Sequence, residues 1–454
     1  MLVSALSPRP VPLDVRTYES RRPGDLLVAF ARDLLTGVGR LDAVGGDAVW
    51  ARSPVGPGVV LLRHPDLVRA VLVDNNDDVT KARGLRLASQ ILGQGLLTSE
   101  VPVHTRQRRL VLPAFHHQKL RGYAATMVEQ SIAEAQRWMP GVPFDVTEAT
   151  NRLALAIAGR TLFGADVLEH AGTVSNALAE TLAGFDRSQF PLADKLAWIP
   201  RPAVRRTMRA RATLDALVYG LIAERRAQGT EGRNDLLSML LDARDEDTGE
   251  AMTDREVRDE AMTLLLAGHE TTAVALAWTF ALLAQNPGAE AQLHAEADAL
   301  PGDPTFESLA ALPVTRRIVS ESMRLRPPAW TVGREAARAT DLAGMPVPRG
   351  TTILFSPLFM HRDPRFWTRP RVFNPGRFTP EARAARHKFA YIPFSAGRRG
   401  CIGEQFAWTE AVLVLATLTR RWRLRPAGPI PEPHGSVTLR PRGPMWMTAE
   451  VRSV

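Results

Sequence analysis

Apolar and polar residues follow one another along most of this chain at three-to-four spacing, the period of amphipathic helices. Residues 105–170 show it almost throughout. The longest example starts at Thr253-Asp254-Arg255-Glu256, an S/T-x-x-E capping box that satisfies the first free backbone N–H groups. From that cap a helix can run unbroken to the stop at Asn286-Pro287-Gly288. Its roughly 32 residues span about 48 Å, enough to cross a large domain and to support a single core. Further helices are predicted up to Gln228-Gly229, over 289–300, over 314–326 ahead of Pro327-Pro328, and over 403–422. Strand signals are few. DAVWARSPVGPGVVLLRHPDLVRAVL reads as two short strands around a Pro/Gly turn, with a helix after Pro65, and TTILFSPL reads as another strand. Pro8, Pro10 and Pro12 make residues 1–22 an extended arm. With no repeat, low-complexity tract or linker, the expectation is a single domain over 1–454, mostly α with a small β portion.

Composition narrows the class. The 454 residues are 45% hydrophobic and 23% charged, which excludes a disordered or fibrous chain. The formal net charge is +9, yet only Lys81, Lys119, Lys195 and Lys388 are lysines among 57 basic residues. An arginine bias of that kind reflects a GC-rich coding genome as much as any partner, so a basic soluble enzyme outweighs nucleic-acid binding. The one cysteine, Cys401, excludes an intrachain disulfide or a cysteine-cluster metal site and points to the reducing cytoplasm. The N-terminus lacks the apolar run of a signal peptide or anchor. Residues 261–284 are the most apolar stretch, but His269-Glu270-Thr271-Thr272 divides it into flanks shorter than the ~18 residues a membrane span needs. The polar step is then either a satisfied core feature or a functional site.

Cys401 sits between glycines just ahead of the apolar helix EQFAWTEAVLVLATL. That helix N-terminus should lower the thiol pKa, and Gly397, Gly400 and Gly403 let the backbone approach something flat and bulky. The pattern F-x-x-G-x-R-x-C-x-G, met by Phe394, Gly397, Arg399, Cys401 and Gly403, resembles the haem-binding loop of the cytochrome P-450 superfamily. The resemblance implies a cytochrome P-450 fold with a long central distal helix, bound haem b (iron protoporphyrin IX), and Cys401 as axial thiolate ligand of the iron. Phe394 would shield the sulfur and Arg399 would pair with a propionate.

Other segments match the same family in order. Ala267-Gly268-His269-Glu270-Thr271 fits [AG]-G-x-[DE]-T. A glycine beside a threonine that bonds back to the preceding turn weakens the helix ladder and opens a groove. By resemblance the groove lies over the iron where O₂ binds, with Thr271 as the hydrogen-bonding hydroxyl and Glu270 relaying protons so that water leaves instead of peroxide. Glu321 and Arg324 of E-x-x-R, with Arg377 of Phe373-Asn374-Pro375-Gly376-Arg377-Phe378, form the family's buried structural network; Gly376 stands where Glu is more usual. His104 and Arg108, at i and i+4, share a helix face, and with Arg334 they are the expected propionate contacts.

The implied activity is a haem-thiolate monooxygenase that takes O₂ as co-substrate and hydroxylates an organic compound. A peroxygenase and a non-catalytic haem-binding sensor are the alternatives; Glu270-Thr271 argues against the first, and no appended signalling module supports the second. No G-x-G-x-x-G segment, flavin segment or ferredoxin cysteine cluster occurs, so electrons are expected from a separate ferredoxin or flavodoxin with its reductase. That partner would meet a basic proximal face including Arg109, Lys119 and Arg398. By family analogy Leu85, Leu96, Phe190, Leu266, Trp330 and Val332 line the substrate pocket, favouring a large apolar substrate. A carotenoid or other isoprenoid (terpenoid) comes first and a long-chain fatty acid second. The apolar, aromatic and basic connector 189–206 would suit peripheral contact with an anionic membrane.

Overall fold

The computed structural model describes residues 12–20, 22, 24–53, 56–164, 171–188 and 202–452. Its axis is the helix Asp254–Ala284, which starts with both halves of the Thr253/Glu256 capping box in place. This helix is buried along almost its whole length because two cores meet on it. Its first half, Val257 to Leu266, packs with the helices Ala171–Ser188 and Pro202–Gln228 through Leu178, Leu214 and Val218. Its second half, from Val274, packs with His117–Ala135, Pro313–Leu325 and Glu404–Arg421. Between the two lie residues 267–273, which include the polar step. Ala267 is exposed in the middle of an otherwise buried helix, and a Cβ on Gly268 would meet nothing within 4 Å. The helix therefore opens onto a cavity where the sequence interrupts its apolar run.

The β portion is a six-stranded sheet in the order Val15–Thr17, Ala48–Ser53, Gly56–Leu62, Thr352–Phe355, Val332–Ala336, Val79–Lys81. Ala48–Ser53 and Gly56–Leu62 pair antiparallel around the Pro/Gly turn, as the sequence predicts. The described part of the N-terminal arm is held as the parallel edge strand Val15–Thr17. One register has consequences for the site. Lys81 lies directly opposite Arg334 on the neighbouring strand. Like charges opposite each other destabilise a sheet unless an anion reaches both. Among the described residues no helix is long and apolar enough to cross a membrane.

The Glu321/Arg324 pair is fully buried. Arg324 donates from Nε and Nη2 to the two carboxylate oxygens at 2.7 and 2.8 Å. It also reaches the carbonyls of His361, Pro370 and Val372. Glu321 in turn accepts the Asn374 backbone N–H, and Arg377 approaches it to 3.4 Å. The pair thus fastens the helix Pro313–Leu325 to the irregular segment that leads to the cysteine loop. Removing one partner leaves the other charge buried and unpaired, so Glu321→Ala should cost about 3–5 kcal/mol. A urea midpoint close to that of the wild type would contradict this.

Candidate functional site

The cysteine loop gets its shape from two left-handed residues, Ser395 (φ 61°) and Gly397 (φ 72°). A side chain at Gly397 would place Cβ 2.1 Å from the Leu72 carbonyl oxygen, so glycine is required there on both counts. The Cys401 N–H closes the loop onto the Phe394 carbonyl at 3.0 Å. The Phe394 ring meets Trp408 edge to face at 5.5 Å. Gly403 stands at the start of Glu404–Arg421, and its N–H approaches the Cys401 thiol.

Cys401 presents open surface while being surrounded by protein, the combination found at the wall of an internal space. Burial pushes its thiol up to about 11, against the lowering effect of the Gly403 N–H. The sequence expectation of a depressed thiol pKa is thus corrected, because desolvation outweighs the helix start. A coordinating metal would deprotonate the thiol outright.

A cavity of about 580 Å³ adjoins the loop. Ala267, Glu270 and Thr271 face it from the central helix, and Ser395 and Arg399 from the cysteine loop. The Thr271 hydroxyl donates back to the Ala267 carbonyl at 2.5 Å, the ladder-weakening bond the motif predicts. Burial raises the Glu270 carboxyl above its usual range, opposed by the hydroxyl of Thr438 and by Arg440. His269 faces away, with Nε2 at 3.1 Å from the Asn151 carbonyl.

One edge of the cavity gathers cations. Lys81, His104, Arg334 and Arg399 all line it and all are buried. Glu100 is the acid among them, 2.5 Å from Arg399. Burial, then Arg399, push Lys81 down to about 7; burial and neighbouring Lys81 push His104 down to about 4; burial lowers Arg334 to about 10. The Nε atoms of Arg334 and Arg399 and the Ser395 hydroxyl are buried without a hydrogen-bond partner. Unpaired buried donors converging on one edge call for anionic oxygens. The donor set suits a flat macrocycle carrying two carboxylates.

Several sequence expectations need correction. Burial and the surrounding cations hold His104 below its usual range in the absence of an anion, so its ring stands at this edge as a hydrogen-bonding group. Arg108 stands beside Cys401 and His104, where its Nη1 donates to the Gly400 carbonyl at 2.9 Å and braces the cysteine loop. Trp330 is fully buried in a separate core, with its indole N–H on the Ser436 carbonyl, so it is no pocket residue. Leu85, Leu96, Leu266 and Val332 do line the cavity. Phe190 and most of the 189–206 connector lie outside the described residues. The outward cations are engaged by neighbours: Arg109 by Asp245 and Asp247, Arg398 by Asp77, and Lys119 by Asn234. Sequence reasoning missed Lys81 and Glu100. The only hint was a lysine retained in a chain that otherwise uses arginine.

Comparison with known proteins agrees with this geometry. The Cytochrome P450 family model matches residues 47–447. "Cyclooctatin synthase" of Streptomyces melanosporofaciens is 41% identical over 89% of this chain and 87% of its own length. "Cyclooctat-9-en-7-ol 5-monooxygenase" of the same organism is 38% identical over 90% and 89%. "Pentalenene oxygenase" of Streptomyces avermitilis is 39% identical over 80% of each chain. The crystal structure of the cytochrome P450DA heme domain superposes with a TM-score of 0.87 at 28% identity, covering 97% of this chain and 98% of that one. The chain belongs to the cytochrome P450 family and is a monooxygenase.

Proposed function

We propose that the protein hydroxylates a cyclic terpenoid, using haem b held by Cys401, O₂, and electrons from a separate ferredoxin or flavodoxin in the cytoplasm. The observation that carries the substrate class is the cavity wall facing Thr271. Leu85, Leu92, Leu96, Leu97, Leu182, Phe185, Leu266 and Val332 build it, while Lys81, Arg334 and Arg399 gather at one edge. A substrate charge buried against those leucines would lose its hydration without compensation, whereas a hydrocarbon skeleton loses nothing. Relatives named for cyclooctat-9-en-7-ol and pentalenene support the isoprenoid reading and narrow it from carotenoids toward compact ring systems.

The chain's own residues divide the work. Bound haem supplies the iron centre at which O₂ is activated. Cys401 is the side chain that would give its thiolate ligand. Arg334, Arg399 and Lys81 would hold the two carboxylates, which would relieve the repulsion among those cations. The leucine wall orients the substrate and excludes water, and desolvation strengthens every polar contact inside. Thr271 holds a hydroxyl at the opening beside Ala267, and Glu270, whose carboxyl burial raises above its usual range, stands beside it as the group that can pass a proton there. A peroxygenase would not need that acid–alcohol pair.

Three measurements test this reading. Reduced protein under CO should show the strongly red-shifted Soret band of thiolate ligation, and Cys401→Ala should abolish it; a variant that keeps the band removes Cys401 as ligand. Thr271→Ala loses a hydroxyl and little volume, so haem content should hold while product per electron falls about tenfold or more and peroxide is released. Equal coupling in both proteins would remove Thr271 from the chemistry. Titrating a panel of cyclic terpenoids, carotenoids and fatty acids should give a low-to-high spin shift with the terpenoids first. A shift with fatty acids alone would refute the substrate class.

A further inference from the structure

The distal acid is not left to find its own orientation. The Oε1 atom of Glu270 accepts the Thr438 hydroxyl at 2.8 Å, and the bond is buried. Thr438 follows the strand Pro433–Gly435 in the turn that joins it to Leu439–Pro441, far from the central helix in sequence. That turn is tied down from a third direction. Asp186, in the last turn of the helix Ala171–Ser188, accepts the Ser436 hydroxyl at 2.5 Å, the Val437 N–H at 2.7 Å and Arg440 Nη2 at 3.1 Å. Arg440 also donates to the Ser436 hydroxyl at 2.9 Å. The same helix walls the cavity with Thr181, Leu182 and Phe185.

We infer that Thr438 is a positioning residue for Glu270, and that Asp186 couples its placement to the helix Ala171–Ser188 that walls the substrate cavity. The hydrogen bond gives the two carboxyl oxygens different tasks. With Oε1 occupied as an acceptor, Oε2 is the oxygen left free to serve the cavity. Removing the hydroxyl would let the carboxyl rotate and would withdraw a donor that favours its ionised form. The charged groups facing Glu270 are Arg440 of the hairpin and Asp186 of the wall helix, of opposite sign. His269, its neighbour in sequence, points to Asn151 and takes no part. A substrate that shifts the wall helix would therefore shift the turn, and with it the acid.

The inference deepens the reading above, since it concerns the acid of the same site, but its test does not depend on the substrate. The carboxylic C=O stretch of Glu270 can be identified in the haem-loaded protein by infrared difference against Glu270→Gln, and then followed against pH. Thr438→Val, nearly isosteric, should raise the titration midpoint by about one unit and shift the band. Thr438→Ser keeps the donor and should restore both. Asp186→Ala, with Thr438 intact, also deletes a like charge that raises the midpoint, so its readout is the band, which should shift as it does in Thr438→Val. A Thr438→Val protein that titrates like the wild type, or a serine variant shifted as far as the valine one, overturns the positioning role. An unmoved band in Asp186→Ala overturns the coupling to the wall helix. The band reports the carboxyl whatever compound is hydroxylated, so these failures stand apart from failure of the terpenoid assignment.

Discussion

One buried edge of this molecule carries more positive charge than it can neutralise. Lys81 and Arg334 face each other across a strand pair and Arg399 reaches the same place from the cysteine loop, opposed by Glu100 and, at Lys81, by Glu260 and the carbonyls of Leu96 and Ser99. Uncompensated cations in a region of low polarity repel each other and resist desolvation. A prosthetic group with two carboxylates turns this liability into the strongest grip in the cavity. The sheet, the loop and the helix bearing His104 are held together through what they bind as much as through each other.

The central helix solves a second problem. A helix of 31 residues with an unbroken apolar surface would be a rigid rod between two cores. Its polar step falls at the seam of those cores, where small residues and a back-bonded threonine open space instead of filling it. Chemistry is thus placed at the one part of the helix that packing can spare.

Much of this was legible in the sequence where the signal is local. The cysteine loop is fixed by residues a few positions apart, and Gly397 is demanded by its own φ and by the Leu72 carbonyl. The Glu321/Arg324 pair is an i,i+3 contact any helix would make; only its full burial needed the structure. The rest depends on pairings across long stretches of chain. Nothing local says that Lys81 will register with Arg334, or that Thr438 will cap Glu270. Trp330 misled because family analogy places a segment at the pocket without saying which way each side chain in it turns. Its indole N–H instead found a buried carbonyl at Ser436. The thiol misled because a helix N-terminus is a sequence feature, whereas burial is a property of the whole fold.

The cysteine loop also bears on when the protein becomes a catalyst. Gly397 nests under Leu72, Arg108 braces Gly400, and the cation edge draws on positions 81, 334 and 399. Contacts of that sequence separation form late, because the chain must close very long loops before they are rewarded. A nascent chain still missing its last fifty residues lacks the turn that steadies Glu270. Capture of a prosthetic group on that edge would therefore belong to the end of folding.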